Sequence, residues 1–218
     1  MNRATSMKTA SSPIEPSPFV AVVDDDPSVR DALDSLFRSV GMSTYLFGNP
    51  NEMIQAVLPK SPGCLILDVR LPGVSGLDFQ SQMARHGIEL PVVFMTGHGD
   101  IPMTVRAMKA GAVDFLSKPF RDQDMLDAVS GAIERDRLRR IERADNESLR
   151  AEYETLTPRE REVMGHVVAG LMNKQVAGVI GLSEITVKIH RGNVMRKMGV
   201  RTLADLVRKA EALGISGH

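Results

Sequence analysis

The sequence predicts two joined folds: an α/β domain on a doubly wound, five-stranded parallel sheet, then a small all-α domain of four helices. Three observations carry this reading. Five short apolar runs lack polar alternation, as strands covered on both faces do, and helical patterns separate them. That alternation implies parallel strands joined by right-handed crossovers. The net charge of zero also hides an asymmetry, with 8 Lys/Arg against 11 Asp/Glu from Phe19 to Phe120 and 10 against 5 from Leu156 to His218. Finally, a helix, a Gly-containing turn and a basic helix follow one another near the end of the chain, the pattern of a helix-turn-helix.

Composition sets the outer bounds. The 218 residues are 43% hydrophobic and 25% charged, values of an ordinary globular protein. No apolar run approaches the ~20 residues needed to span a membrane, and no membrane partner is expected. The start of the chain is polar and lacks the apolar stretch of a signal peptide. Residues 1–18 hold three prolines without periodicity and read as a disordered tail. The single cysteine, Cys64, lies in an apolar run, which fits a structural thiol in a reducing cytoplasm. The basic second half suits a polyanionic partner.

The first strand, Phe19-Val20-Ala21-Val22-Val23, ends on three adjacent acids, Asp24-Asp25-Asp26. Asp26 can cap the helix that Pro27 opens. Asp24 and Asp25 are left over, and a hard divalent cation such as Mg²⁺, taking carboxylate oxygens and water, accounts for them. A helix carrying Val29, Leu33, Leu36 and Phe37 precedes a strand from Thr44 to Phe47 and a helix after Asn49. The third strand, Cys64-Leu65-Ile66-Leu67-Asp68, ends on one carboxylate at the rim where open α/β sheets bind ligands. A loop leads into a helix from about Gly76 to Arg85. The fourth strand, Pro91 to Thr96, ends in a hydroxyl followed by Gly97-His98-Gly99, and a helix begins at Ile101. The fifth, Val113 to Ser117, runs into Lys118-Pro119-Phe120.

Taken singly these residues have plain readings: Asp68 caps a turn, Thr96 is a good strand residue, Lys118 is solvated. Together they lie at the carboxyl ends of four strands, and one shared site is the simpler account. Its chemistry follows from residue type. Asp68 is a carboxylate nucleophile able to form an acyl phosphate. Mg²⁺ held by Asp25, Asp68 and the Arg70 backbone carbonyl, with Asp24 acting through water, would neutralise phosphoryl oxygens. Lys118 would pair with one of those oxygens and Thr96 would hydrogen-bond another.

From Asp122 a helix carries Met125, Leu126, Val129 and Ile133, and residues 134–154 read as its extension into a helical linker. The linker is too irregular for a coiled coil, and its basic cluster from Arg135 to Arg143 reads as a solvated face. Thr157, Pro158 and Glu160 form the N-cap, first position and capping box of the next helix, whose buried face is Val163, Val167 and Val168. A short helix from Asn173 to Ile180, the turn Gly181-Leu182-Ser183 and a basic helix from Glu184 to Met198 follow, then a last helix from Thr202. In the basic helix Ile185, Ile189 and Val194 can face inward. Thr186, Lys188, His190, Arg191 and Arg196 then face outward, towards a major groove and its phosphates.

The first-domain motifs resemble the receiver domain of bacterial two-component response regulators. They are Val-Val-Asp-Asp-Asp at 22–26, Leu-Asp-Val-Arg-Leu-Pro-Gly-Val-Ser-Gly at 67–76, Thr-Gly-His-Gly-Asp at 96–100 and Lys-Pro-Phe at 118–120. The run from Thr96 through Met108-Lys109-Ala110-Gly111-Ala112 to Phe120 is similar to the FixJ-type branch that includes StyR and TodT. Leu-Thr-Pro-Arg-Glu-Arg-Glu-Val from Leu156, Asn173-Lys174-Gln175-Val176-Ala177 and Thr186-Val187-Lys188-Ile189-His190-Arg191 resemble the NarL/LuxR output domain. The resemblance implies a flavodoxin-like receiver, residues 19–133, joined through the linker to a helix-turn-helix domain, residues 155–218. It implies Asp68 as phosphoacceptor, Asp24 and Asp25 as the acidic pair, and Thr96 with Phe115 as a switch. The cofactor is Mg²⁺, with Mn²⁺ able to replace it. Implied partners are a sensor histidine kinase, double-stranded promoter DNA, a second copy after phosphorylation, and RNA polymerase, with transcription activated. Candidate DNA contacts are Lys174, Ser183, Glu184, Thr186, Lys188, Ile189, His190, Arg191 and Arg196.

His98 and Arg70, each two residues past a site residue, stand where they could tune the lifetime of an acyl phosphate. Gly192 removes a side chain from the outer face of the basic helix, at a cost of roughly 1 kcal/mol in helix propensity. Two other readings stay open at this point. One is a DNA-binding regulator that uses its first domain only as a dimerisation scaffold. The other is a Mg²⁺-dependent phosphohydrolase, although Arg70 stands where the haloacid-dehalogenase-like version carries a second Asp.

Overall fold

The computed structural model describes residues 17–97 and 101–215, so the tail reading of residues 1–16 and the suggestion for His98 lie outside the described residues. Contacts divide the chain into two compact units that meet at Arg140 and Ile141.

The first unit alternates strand and helix: β1 (Phe19–Val23), α1 (Pro27–Ser39), β2 (Ser43–Phe47), α2 (Pro50–Gln55), β3 (Gly63–Asp68), α3 (Gly76–Met83), β4 (Val92–Thr96), α4 (Ile101–Lys109), β5 (Asp114–Ser117) and the start of α5 (Asp122–Glu154). A short 3₁₀ turn, Ala84–His86, ends α3. The strands form one parallel sheet in the order β2-β1-β3-β4-β5. Because side chains alternate across a strand, the central strands feed two cores. Phe19, Ala21, Val23, Leu65, Leu67 and Phe94 pack with Met53, Phe79 and Ala107. Val20, Val22, Cys64, Ile66, Val93 and Met95 pack with Leu33, Phe37, Met125 and Val129 from α1 and α5. Burial on both faces is why these strands read as unbroken apolar runs.

The helix starts follow local chemistry. Asp26 caps α1 by accepting from the Ser28 amide, Asn49 caps α2 through the Glu52 amide, and Ser75 caps α3 through the Leu77 amide. The Asp26 carboxyl is held below the usual carboxylate range, chiefly by that Ser28 hydrogen bond.

Past the core of the first unit, α5 stays helical through the predicted linker. Its basic stretch is not simply a solvated face. Asp136 is fully buried and accepts from Arg139 Nη2 at 2.6 Å, Arg140 Nε at 2.6 Å and the Gly63 amide at 3.0 Å. Arg140 also donates to the Lys60 carbonyl at 2.9 Å. An acid surrounded by arginines in sequence therefore binds α5 to the head of β3.

The second unit holds the end of α5, then α6 (Pro158–Val168), α7 (Asn173–Ile180), α8 (Glu184–Lys197) and α9 (Leu203–Ala212). Its core joins Leu156, Val163, Met164, Val167, Val176, Val187, Val194, Met198 and Leu206, with Leu149 and Tyr153 of α5 packed against it. The predicted capping box at Thr157 and Glu160 is present. Gly181 closes α7 at φ +70°, a left-handed backbone that turns the chain into α8.

Candidate functional site

The first site is built where β1, β3, β4 and β5 end side by side, because parallel strands deliver their C-terminal residues to one edge. Asp24, Asp25 and Asp68 bring carboxylate oxygens within 4.8 Å of one another. Asp24 and Asp68 are buried and Asp25 is exposed. Lys118 Nζ reaches both buried acids, at 2.7 Å from Asp24 Oδ2 and 3.0 Å from Asp68 Oδ2. Burial works to lower the Lys118 pKa, but the hydrogen bonds and charges of these two carboxylates outweigh it and hold the value above the ordinary one. The ammonium is thus the local counter-charge that lets two acids share a buried rim.

A backbone amide reaches the other oxygen of each buried acid. The Asp26 amide donates to Asp24 Oδ1 at 2.8 Å, and the Arg70 amide donates to Asp68 Oδ1 at 3.0 Å. Arg30 Nη1 donates to the Asp24 carbonyl at 2.7 Å. Asp24 is therefore satisfied from within, and Asp25 is the acid that faces solvent. Asp25 and Arg70 line one cleft with Gly73, Ser75 and Met103. A patch of three carboxylates and nearby backbone oxygens is a donor set for a hard divalent cation.

Thr96 is buried at the end of β4, and its carbonyl accepts from the Lys118 amide at 2.7 Å, tying β5 to β4 beside the site. Phe115 is half-buried and its ring lies 6.4 Å from that of Phe94. Gly76 explains the loop after Asp68: a Cβ there would sit 2.2 Å from the Asp68 carbonyl oxygen, so only glycine lets α3 start this close to β3. The Lys118–Pro119 bond is cis.

The second site is the surface of α7 and α8. Lys174, Ser183, Glu184, Lys188 and Arg196 are exposed as expected, and Thr186 is half-buried with its hydroxyl 2.8 Å from that of Ser183, the N-cap. His190 and Arg191 are half-buried rather than outward, and Arg191 donates to Asn173 Oδ1 at 3.0 Å, joining α8 to α7. The predicted inner face holds at Val194 and fails at Ile185 and Ile189. Val187, Val194 and Met198 are buried, whereas Ile185 is 74% and Ile189 59% exposed. The reason is helical phase: positions 187, 194 and 198 fall within one 40° sector at 100° per residue, whereas 185 and 189 lie opposite 194.

Comparison with known proteins resolves the family. Residues 20–130 match the response regulator receiver domain, and residues 154–210 match the bacterial regulatory proteins of the luxR family. This chain is a response regulator with a LuxR-type output domain. It is 60% identical to Nodulation protein W of Bradyrhizobium diazoefficiens over 200 residues, 92% of this chain and 88% of the relative. It is 45% identical to the response regulator protein TodT of Pseudomonas putida, covering 89% of this chain and 86% of that one. Among solved structures, the response regulator StyR shares 46% identity at a TM-score of 0.82, over 90% of this chain and 99% of that chain.

Several polar contacts in this response regulator escaped the sequence reading. Glu160 was expected only as a capping residue, yet it is buried and also accepts from Lys197 of α8 at 2.6 Å. Lys197 donates again to the Thr155 carbonyl at 3.0 Å, so one lysine ties α8 to the start of α6. The Asp136 cluster and the Arg191–Asn173 bond are two more. Glu160–Lys197, Arg191–Asn173 and the Gly63–Asp136 bond each join residues 18 or more apart, which no local pattern marks.

Proposed function

We propose that this response regulator is phosphorylated on Asp68 by a sensor histidine kinase and thereby gains affinity for promoter DNA. The observation that carries the reading is the four-residue juxtaposition at the strand ends: Asp68 beside Asp24 and Asp25, with Lys118 spanning two of the acids. An Asp68 carboxylate oxygen attacks the phosphorus of a kinase phosphohistidine. The P–N bond breaks, the acyl phosphate forms, and the leaving imidazole keeps its electron pair and takes a proton. Lys118, already on Asp68 Oδ2, moves onto a phosphoryl oxygen as charge builds there. The Thr96 hydroxyl hydrogen-bonds a second phosphoryl oxygen, and Phe115 shifts inward behind it.

Asp25, Asp68 and the Arg70 carbonyl would hold Mg²⁺ or Mn²⁺ directly. Asp24, whose oxygens already serve Lys118 and the Asp26 amide, would act through water. When bound, the cation supplies charge neutralisation for the phosphoryl oxygens. The phosphorylated receiver then dimerises, presents two copies of α8 to half-sites about one DNA turn apart and activates transcription with RNA polymerase, in the cytoplasm.

The test is DNA binding and solution mass, with and without a small-molecule phosphodonor and Mg²⁺, for the wild type and Asp68→Asn at fixed salt. A dimer and tighter binding in the wild type alone support the switch. Equal binding by both proteins in all conditions would leave DNA recognition standing and remove Asp68 from it.

A further inference from the structure

We propose that Ile185, with Ile189, forms an apolar ridge on α8 that reads thymine methyl groups in the major groove. The proposal rests on the DNA-binding reading above and adds to it a residue that sets base preference. Ile185 sits in the first turn of α8, and with Ile189 one turn later it leaves two large aliphatic side chains in water. Neither is needed by the fold, since the unit's core is filled from the opposite side by Val187, Val194 and Met198.

The neighbours on the same face say what covers the ridge. Lys188, Gly192 and Arg196 share the exposed sector with the two isoleucines. Two cations beside an apolar strip suit a polyanion with an apolar feature at the floor of its groove. In duplex DNA that feature is the thymine C5-methyl, the one apolar group on a major-groove base edge. Gly192 adds an independent observation. A Cβ there would meet nothing within 4 Å, so packing within the protein does not call for glycine. Glycine in mid-helix is costly, and a bare helix surface beside Ile185 and Ile189 is what close approach to base edges requires.

The experiment uses the full chain with phosphodonor and Mg²⁺. A randomised duplex pool is selected for binding, and the best duplex is resynthesised with each thymine in turn replaced by uracil, which removes only the methyl. In the wild type, uracil at one or more positions should weaken binding on the order of fourfold, the burial of one methyl. Ile185→Ala should lose that sensitivity at one position or more while keeping its circular dichroism spectrum. Gly192→Ala should raise thermal stability yet weaken binding to the same duplex.

If no uracil substitution matters, or if Ile185→Ala keeps the full pattern, the ridge does not read methyl groups. If Ile185→Ala binds DNA normally but no longer dimerises, the ridge is a self-association face and the proposal falls. Failure to enrich any duplex removes the DNA-binding reading together with the ridge, an outcome distinct from enrichment without methyl sensitivity.

Discussion

Replacing Asp136 by Ala should destabilise the receiver by about 2–4 kcal/mol. The carboxylate has no exposed side-chain surface and takes three donors, two of them guanidinium groups at 2.6 Å. Breaking a buried ion pair costs about 3–5 kcal/mol when a charge is left stranded inside. Here the stranded partners are Arg139 and Arg140, whose side chains are 45% and 35% exposed, so both can turn to water and the cost falls. What cannot rehydrate is the buried Gly63 amide, and an orphaned amide costs about 1–3 kcal/mol. Asp136→Asn keeps an acceptor for Gly63 and should lose only about half as much. The two compact units need not unfold together, so the assay is hydrogen exchange of peptides covering β3, where 3 kcal/mol is roughly a hundredfold faster exchange. Protection of β3 unchanged in Asp136→Ala would show that the cluster does not anchor α5.

Other outcomes follow from the same geometry. Gly76→Ala should destabilise the receiver by about 1–3 kcal/mol, because the new methyl would press on the Asp68 carbonyl, although alanine is ordinarily the better helix former. Chemical denaturation checks the sign. Lys118→Met leaves Asp24 and Asp68 without their shared cation, so thermal melts should show a lower midpoint without Mg²⁺ and a larger rise on adding it than in the wild type. Equal rises in both proteins would count against a cation site there. Burial opposes ionisation of Glu160, but Lys197 and the Thr157 amide overcome it and hold its pKa below the ordinary 4.5. A depressed folded pKa stabilises above the unfolded value, and that contribution is lost as pH falls through the folded one. Glu160→Gln should therefore flatten the acid limb of output-domain stability below about pH 4.5, as read by circular dichroism.

The receiver site was legible because its residues are few, polar and placed where polar residues are unexpected. Asp24, Asp25, Asp68, Thr96 and Lys118 each end an apolar run, and parallel topology alone brings such ends together. What sequence could not supply was their state. Lys118 was expected on a phosphoryl group and is found holding Asp24 and Asp68. Periodicity failed at Ile185 and Ile189 because aliphatic residues were assumed to be core. The two-turn spacing of Val187 and Val194, continued one turn on by Met198, was the better signal. The Arg139 and Arg140 spacing to Asp136 was legible as helical ion pairs, but its burial was not, since the third partner, the Gly63 amide, lies 73 residues away.

Cys64 is the only thiol in the 218 residues, it is fully buried in β3, and burial first, with Asp136 nearby, pushes its pKa up. Alkylating reagents attack thiolates, so the natural chain is in practice silent to them. A cysteine introduced at exposed Val57 in the receiver, or at exposed Val179 in the output domain, would therefore react alone. Dyes or spin labels at such positions would report how each unit responds to a phosphodonor, without first removing a native cysteine.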